Sequence, residues 1–226
     1  ELFACLESVH AGKDERGRTS SLALPMWPAV RTELRLVRDL LPFARVRLDR
    51  PTTPVVVCTD SEGPSRRSNG GGAVVFSQPA PAVVEDLCTH GPRQGPLHCD
   101  PEYLCSLWPQ DWHLGVAVRW RYREAIHLTE LEAVLLWLKK ALRDPALCGW
   151  RYVLLSDNTP VVYAVRKGRS SSGRFLYVLK RLSALLLAGD FELVTCWLPS
   201  WLCFADAPSL GLLQQPLGPP CAARYA

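Results

Sequence analysis

The sequence predicts an α/β domain with a mixed five-stranded sheet flanked by helices. Three strand-like runs precede the first long helix of this domain, and two further runs alternate with helices. Strands joined by short turns pair antiparallel, whereas strands joined by helical crossovers pair parallel. We therefore expect three antiparallel strands followed by parallel additions, in the order β-β-β-α-β-α-α-β-α. A chain of 226 residues with 48% hydrophobic content can bury a core for such a sheet.

Five short runs rich in apolar and β-branched residues predict the strands. They span residues 55–59, 73–78, 114–121, 152–156 and 191–197. The first two are joined by a polar segment that ends in three consecutive glycines, at positions 70–72. No helix opening with Lys followed by Ser or Thr comes after these glycines, so we interpret them as a flexible turn and not as a phosphate-binding loop.

Helical periodicity predicts the remaining elements. The predicted helices span residues 27–41, 129–143, 158–165 and 174–188, and a further one begins at Asp206. The second of them carries an apolar stripe formed by Leu131, Val134, Leu135 and Leu138. At Asp206, an N-cap residue followed closely by a proline is a typical helix start.

The chain divides into a segment at 1–54, a domain at 55–210 and an irregular tail at 211–226. Within the domain, residues 79–112 are rich in proline and predict a loop insertion. This insertion holds Cys88, His90, His98 and Cys99, which could in principle bind zinc. Their spacing matches no established ligand pattern, so we interpret them as ordinary loop residues.

Composition limits the partners and the compartment. The formal charge of +4 is a mild bias that is compatible with a polyanionic partner. Nine cysteines without framework spacing favour free thiols, with no disulfide partner, in a reducing intracellular compartment. No apolar stretch approaches the roughly 18 residues needed to cross a bilayer, so we expect no membrane partner. The missing initiating Met suggests a fragment of a longer polypeptide.

Four acidic residues lie where predicted elements begin or end: Asp60, Glu130, Asp157 and Asp206. In open α/β sheets, functional sites lie at the carboxyl ends of the strands. We therefore expect these side chains to meet at that edge of the sheet. Converging carboxylates repel one another unless cations hold them, and Mg²⁺ bound by carboxylate oxygens is the usual solution. The alternatives are a helix-start charge for Glu130 or Asp206 and a helix N-cap for Asp157.

A basic segment follows the helix predicted after Asp157. Its cations are Arg166, Lys167, Arg169 and Arg174, interleaved with glycines and serines. Such a segment can contact the phosphates of a nucleic acid bound at the acidic edge. The alternative is a solvated basic loop without a partner.

The local phrases around the four acids resemble those of the ribonuclease H family. The quoted phrases are Cys58-Thr59-Asp60-Ser61, Glu130-Leu131-Glu132-Ala133-Val134, Ser156-Asp157-Asn158-Thr159 and Trp197-Leu198-Pro199-Ser200 through Ala205-Asp206-Ala207-Pro208-Ser209. The last two, with the Lys-Gly-Arg-Ser-Ser-Ser run between them, are similar to ribonuclease H domains attached to reverse transcriptases of DIRS-like retroelements. The resemblance covers about residues 52–210, and it implies that 1–54 is a connecting tail of an upstream reverse transcriptase.

The resemblance implies hydrolysis of the RNA strand of an RNA–DNA hybrid with two Mg²⁺ or Mn²⁺ ions. Such ions lie about 3.5–4 Å apart, which requires a bridging carboxylate. We assign the bridge to Asp60, one ion to Asp157 and Glu130, and the other to Asp206. The implied partners are the hybrid and the upstream polymerase domain of the same polyprotein. Hybrids would be recognised by groove shape and 2′-hydroxyls, with Asn158 as a candidate sugar contact.

Two departures from the family pattern keep other functions open. The loop at 201–204 is apolar and has no histidine, and Glu62 follows the first-strand Asp closely. These changes are typical of drift in a decaying element copy. One alternative is therefore an inactive ribonuclease H-like domain that binds nucleic acid or packs against the polymerase. A transposase-type nuclease of the same fold is another. Within the helix motif we assign the ligand to Glu130, because Glu132 would point elsewhere.

Overall fold

The computed structural model describes residues 27–43, 47, 49–66, 68–90 and 112–212. The chain forms two compact units, Glu1–Leu48 and Asp49–Ala226. In the first unit, helix α1 spans Pro28–Leu40 and continues as a 3-10 turn at Leu41–Phe43. Pro28 fits the first turn because its missing N–H would have no helical partner there. The predicted helix at 27–41 is confirmed.

The described part of the second unit is built on five strands. They are β1 Thr52–Glu62, β2 Gly71–Ser77, β3 His113–Arg119, β4 Arg151–Ser156 and β5 Glu192–Trp197. Their order in the sheet is β3-β2-β1-β4-β5. The β1–β2 and β2–β3 pairs are antiparallel, and the β1–β4 and β4–β5 pairs are parallel. The predicted mixed sheet, with three antiparallel strands followed by parallel additions, is confirmed.

Strand β1 lies at the centre of the sheet and is longer than the predicted run at 55–59. It begins three residues earlier and continues to Glu62, because β2 pairs with it over its whole second half, from Val56 opposite Ser77 to Glu62 opposite Gly71. Asp60 therefore lies inside the strand, opposite Ala73, and not at its end. The prediction that the glycines at positions 70–72 form a flexible turn is also corrected, since Gly71 and Gly72 belong to β2.

Among the described residues of the second unit, five α-helices accompany the sheet, besides 3-10 turns at Pro145–Leu147 and Ser200–Leu202. They are α2 Pro81–His90, α3 Ile126–Ala141, α4 Thr159–Lys167, α5 Gly173–Ala188 and α6 Asp206–Ser209. Helix α2 corrects the prediction of a continuous loop at 79–112. Its Val84 and Leu87 are buried at a spacing of three residues, and this short apolar stripe was obscured by the surrounding prolines. Residues 91–111, which include His98 and Cys99, lie outside the described residues, and so does the side chain of His90.

Apolar layers cover both faces of the sheet. On one face, α3 and α5 pack against β1 and β4 through residues such as Leu131, Leu135, Val57, Leu154 and Leu179. On the other face, α2 and the segment after β5 form a second cluster that includes Cys58, Val75, Leu155, Leu202 and Phe204. The sheet is thereby fixed between two layers, and the loops at the carboxyl ends of β1 and β4 are held in place.

None of the described helices combines the length and the apolar character that a membrane span requires. Five of the described cysteines, Cys58, Cys88, Cys148, Cys196 and Cys203, are free thiols. Cys88 lies in α2 and is half-buried, so this member of the predicted Cys/His set sits in a helix and not in a loop.

Candidate active site

All four predicted acids line one cavity of about 370 Å³. Asp60 comes from β1, Glu130 from α3, Asp157 from the turn after β4 and Asp206 from the start of α6. These positions are separated by 27 to 70 residues in the sequence, so the parallel pairing of β1 with β4 and the packing of α3 and α6 bring them together. The cavity also contains hydroxyls, from Ser61, Ser200 and Ser209.

Asp60 is buried at the centre of this arrangement, with 6% of its surface exposed. Burial raises the pKa of Asp60 to about 7, while hydrogen bonding from the Ser209 hydroxyl opposes the change. The nearby charges of Asp157 and Asp206 raise it further. In the absence of a cation, this carboxyl group therefore ionises near neutral pH and not near pH 4.

Glu130 lies in the second turn of α3, because the helix begins at Ile126 and not at the predicted residue 129. It is 3% exposed, which excludes the alternative of a solvated charge at a helix start. Burial raises the pKa of Glu130 to about 10, and the charges of Asp60 and Asp157 add to this effect. The backbone of Ser61 provides a hydrogen bond that opposes it. No described residue hydrogen-bonds the buried Oε2 atom of Glu130.

Glu132 points away from the acidic cavity, as predicted. Its carboxylate pairs with Arg181 of α5. Two residues along a helix are about 200° apart, so only one of the two glutamates can face the sheet edge.

Asp157 follows β4 directly and is half-buried. Burial raises the pKa of its carboxyl group, and a hydrogen bond from the Ser200 hydroxyl opposes the change. Its backbone carbonyl accepts a hydrogen bond from the indole Nε1 of Trp197 at 2.9 Å, which fixes the turn against β5. The N-cap of α4 is Asn158, whose Oδ1 accepts from the Val161 amide at 3.2 Å. The alternative of an N-cap role for Asp157 is therefore wrong.

Asp206 is the first residue of α6, a single turn that packs against β1 and β2. Arg119 of β3 holds the end of this turn by donating from Nη2 to the Leu210 carbonyl at 2.8 Å. The other amino group of Arg119 pairs with Glu62 at 3.1 Å, so the additional acid of the first-strand motif has a structural partner.

Two glycines of β2 allow this close packing. A Cβ on Gly71 would lie 2.4 Å from the Ser209 carbonyl oxygen, and one on Gly72 would lie 2.3 Å from the Trp120 ring. Neither distance is sterically possible. The glycine run therefore positions α6, and with it Asp206, where the sequence suggested only a flexible turn.

The four acids fit a divalent metal site. Their oxygens are the ligands that hard cations prefer. Glu130 has a buried oxygen without a described hydrogen-bond donor, and the pKa of each of the three acids Asp60, Glu130 and Asp157 is raised by burial. A bound cation would supply the missing partner and neutralise the crowded charge.

Cys203 is a neighbour of this site that the sequence did not reveal. Its Sγ atom and carboxylate oxygens of Asp60 and Asp157 all lie within 4.8 Å of one another. The Sγ atom of Cys58 lies 3.8 Å from it on the buried side. No sequence pattern indicates that Cys203 lies beside the acids, because the loop at 201–204 differs from the family pattern only in its apolar residues and its missing histidine.

The predicted nucleic-acid contacts fall into two groups. Arg166 donates from Nε and Nη2 to the Thr195 carbonyl at 3.0 and 2.6 Å, so its guanidinium connects α4 to β5. Asn158 lines the acidic cavity while capping α4. Lys167 at the end of α4, Arg169 in the following loop and Arg174 at the start of α5 are exposed. Of these, Lys167 lies over the ring of Tyr163 and Arg174 is 3.5 Å from Glu124.

A larger groove of about 790 Å³ begins beside the acidic cavity. Arg119, which pairs with Glu62 of that cavity, also lines the groove. Tyr122 and Tyr177 are 76% and 65% exposed within it, and Arg121 and Arg174 add positive charge. Exposed aromatic rings interleaved with arginines are typical of surfaces that bind nucleic-acid strands.

No protein-family model matches the chain, and no curated protein sequence matches it. Solved structures give distant likenesses. LC11-RNase H1 in complex with an RNA/DNA hybrid is similar over 70% of this chain and 94% of its own, with 11% identity and a TM-score of 0.42. The N-terminal RNase H domain of rv2228c from Mycobacterium tuberculosis is similar over 71% and 98%, with 13% identity and a TM-score of 0.43.

A foamy viral protease-reverse transcriptase in complex with an RNA/DNA hybrid is also similar. The likeness covers 74% of this chain and 22% of the viral chain, with 12% identity and a TM-score of 0.44. At such low identities and TM-scores, the function of this chain has to be inferred from its own residues.

Proposed function

We propose that this chain is a divalent-metal-dependent endoribonuclease that hydrolyses the RNA strand of RNA–DNA hybrids, as the ribonuclease H part of a retroelement reverse transcriptase of DIRS-like type. The observation that carries the proposal is the convergence of Asp60, Glu130, Asp157 and Asp206 in one cavity. The order of these acids along the chain and their local phrases agree with the family pattern.

Each acid has a distinct position in the proposed site. Asp60 is central and near both Asp157 and Asp206, so it can bridge two cations, whether Mg²⁺ or Mn²⁺. Glu130 is near both Asp60 and Asp157, and Asp206 is a further neighbour of Asp60. Two such ions would activate a water for in-line attack and stabilise the leaving 3′ oxygen. The serine hydroxyls and the Ser61 amide keep the carboxylates oriented toward the cavity.

The groove beside the cavity is the proposed binding surface for the second strand of the duplex. Tyr122 and Tyr177 offer faces for sugar or base contacts, and Arg121 and Arg174 offer cations for phosphates. Lys167 and Arg169 extend this positive surface. Because none of these contacts requires a particular base edge, cleavage is expected to be largely independent of sequence.

An upstream polymerase domain and a reducing intracellular compartment complete the proposal. The free thiols of the buried cysteines are compatible with such a compartment.

The proposal is tested by the cleavage of a labelled RNA–DNA hybrid in the presence of Mg²⁺. We expect the wild-type chain to cut the RNA strand, whereas Asp60→Asn and Asp157→Asn lose at least about a hundredfold in rate, as expected for groups that stabilise developing charge. Glu85→Gln, which changes an exposed acid of α2, is the matched control and retains activity. Single-stranded RNA and duplex DNA are expected to remain intact.

Two outcomes would contradict the proposal. Equal cleavage by the wild type and both variants would show that the acidic cavity is not the site. Tight hybrid binding without cleavage, by a folded protein supplied with Mg²⁺ or Mn²⁺, would favour the inactive binding module. The loop at 201–204, which departs from the family pattern, is held by stacking of Phe204 on Trp112 with ring centroids 4.1 Å apart.

A further inference from the structure

Cys203 places a sulfur atom against the acidic cavity. The loop that carries it is held on both sides. The backbone amide of Cys203 donates to the Ser200 carbonyl at 3.0 Å, and the neighbouring side chains of Leu202 and Phe204 are buried in the apolar layer. The position of the thiol is therefore set by the packing of the loop and not by a free rotation of the chain.

Three potential ligand atoms meet at this point. The Cys203 sulfur and one carboxylate oxygen each from Asp60 and Asp157 lie mutually within 4.8 Å. In a tetrahedral zinc site, ligands bonded at about 2.0–2.3 Å lie about 3.3–3.8 Å from one another. Small side-chain rotations are therefore sufficient to bring these three atoms onto one ion.

A second observation also indicates a cation. The buried Oε2 atom of Glu130 has no hydrogen-bond donor among the described residues, and Glu130 lines the same cavity as Asp60 and Asp157. This buried oxygen belongs to a residue that lies near both Asp60 and Asp157. A thiol together with two aspartates differs from an all-oxygen ligand set in softness, because sulfur selects thiophilic metals.

We propose that Cys203, together with Asp60 and Asp157, forms a binding site for Zn²⁺ or another thiophilic divalent cation, and that this cation excludes the hard cations of the proposed nuclease site. On binding, the Cys203 thiol loses its proton to solvent and the sulfur forms a bond to the metal. The exclusion of hard cations rests on the proposed function, whereas the binding of Zn²⁺ does not. An all-carboxylate cavity would prefer zinc less strongly, because it lacks the soft sulfur ligand.

Direct metal binding tests the inference without any nucleic acid. Cd²⁺ serves as the spectroscopic probe, because its bond to a thiolate absorbs in the ultraviolet, and Zn²⁺ is titrated in competition with a chromophoric chelator. The chain has nine cysteines, so the readout is the difference between the wild type and each variant. We expect Cys203→Ser to remove one cadmium–thiolate band and to weaken zinc binding by at least about tenfold.

Cys196→Ser is the matched control. Cys196 is a buried cysteine of β5 whose sulfur contacts the Leu87 carbonyl and which is not part of the group formed by Cys203, Asp60 and Asp157. We expect it to bind both metals as the wild type does. Asp157→Asn should weaken zinc binding while retaining the cadmium–thiolate band, since the sulfur remains. Thermal unfolding of each variant confirms that the loop and the sheet are intact.

The inference is overturned if folded Cys203→Ser binds zinc and cadmium as the Cys196→Ser control does. A second measurement gives, for each variant, the zinc concentration that halves Mg²⁺-supported hybrid cleavage. We expect this concentration to be at least about tenfold higher for Cys203→Ser than for Cys196→Ser. If neither protein cleaves hybrid but the cadmium difference is present, the zinc site stands and the proposed function fails. If hybrid is cleaved but Cys203→Ser and Cys196→Ser do not differ in their cadmium spectra, the proposed function stands and the zinc site fails.

Discussion

At the scale of single residues, two glutamates two positions apart have opposite surroundings. Glu130 faces the acidic cavity with a pKa raised to about 10 by burial and by the neighbouring aspartates. Glu132 pairs with Arg181 on another face of α3. The helix repeat separates them by about 200°, so the site contains one of them and excludes the other.

Replacing these two glutamates separately tests the assignment. We expect Glu130→Gln to lower Mg²⁺-dependent hybrid cleavage by at least about a hundredfold. The same substitution should stabilise the metal-free protein by roughly 1–3 kcal/mol at pH 7, because it removes the cost of keeping a buried acid protonated. Glu132→Gln should cleave at close to the wild-type rate and lose at most about 1 kcal/mol of stability. The measurements are initial rates and denaturant unfolding, and a reversal of the two phenotypes would contradict the assignment.

At the scale of elements, the one-turn helix α6 places the fourth acid. It has too few residues to be stable alone, since an isolated helix of this length is far below the size that persists in water. Its position depends on the close approach of Ser209 to Gly71 and on the hydrogen bond from Arg119 to Leu210. Asp206 is therefore positioned by β2 and β3, which precede it by more than 85 residues.

A methyl group on residue 71, where β2 contacts Ser209, should displace α6. We expect Gly71→Ala to destabilise the protein by about 1–3 kcal/mol, the usual cost of overpacking, and to reduce hybrid cleavage more than hybrid binding. Gly173→Ala is the control, because a Cβ at this position meets no atom within 4 Å. Circular dichroism and urea unfolding report stability, and activity is measured well below the midpoint. Equal stability and activity of the two variants would show that the contact with α6 is unimportant.

At the scale of the whole molecule, the crowded carboxylates make folding depend on pH and on cations. The pKa of Asp60 rises from its ordinary value of 3.8 to about 7 in the folded state, and that of Glu130 rises from 4.5 to about 10. Because the folded state keeps these protons longer, its relative stability falls as pH rises. The loss from Asp60 develops between about pH 4 and 7, and that from Glu130 continues above pH 7.

Thermal unfolding in a chelator should reveal this dependence. We expect the Tm of the metal-free protein to decrease from pH 5 to pH 8, with a loss of stability on the order of a few kcal/mol. Adding Mg²⁺ should raise the Tm more at pH 8 than at pH 5, since the carboxyl groups must ionise to bind it. Asp60→Asn should reduce both dependences, and the part that comes from Glu130 should remain. A Tm that increases over this range in the wild type, with no effect of Mg²⁺, would contradict the charge-crowding account.

The sequence predicts the succession of the strands and most of the helices, because the two-residue and 3.6-residue periods of apolar residues are local properties. It also identified the four acids, since each lies next to a strand or helix with a recognisable phrase. It missed α2, whose apolar stripe has only two buried members among prolines, and it placed Asp60 and Glu130 at element ends where the structure has them inside.

How these local elements combine into a site depends on contacts between segments that are distant in the chain. The meeting of the four carboxylates depends on parallel pairing of β1 with β4, and the place of Asp206 depends on a glycine contact across the sheet. The role of Arg166 in connecting α4 to β5 and the position of the Cys203 sulfur follow from packing between distant segments. Such contacts join residues far apart in the chain, and no local periodicity or motif encodes the distance between them.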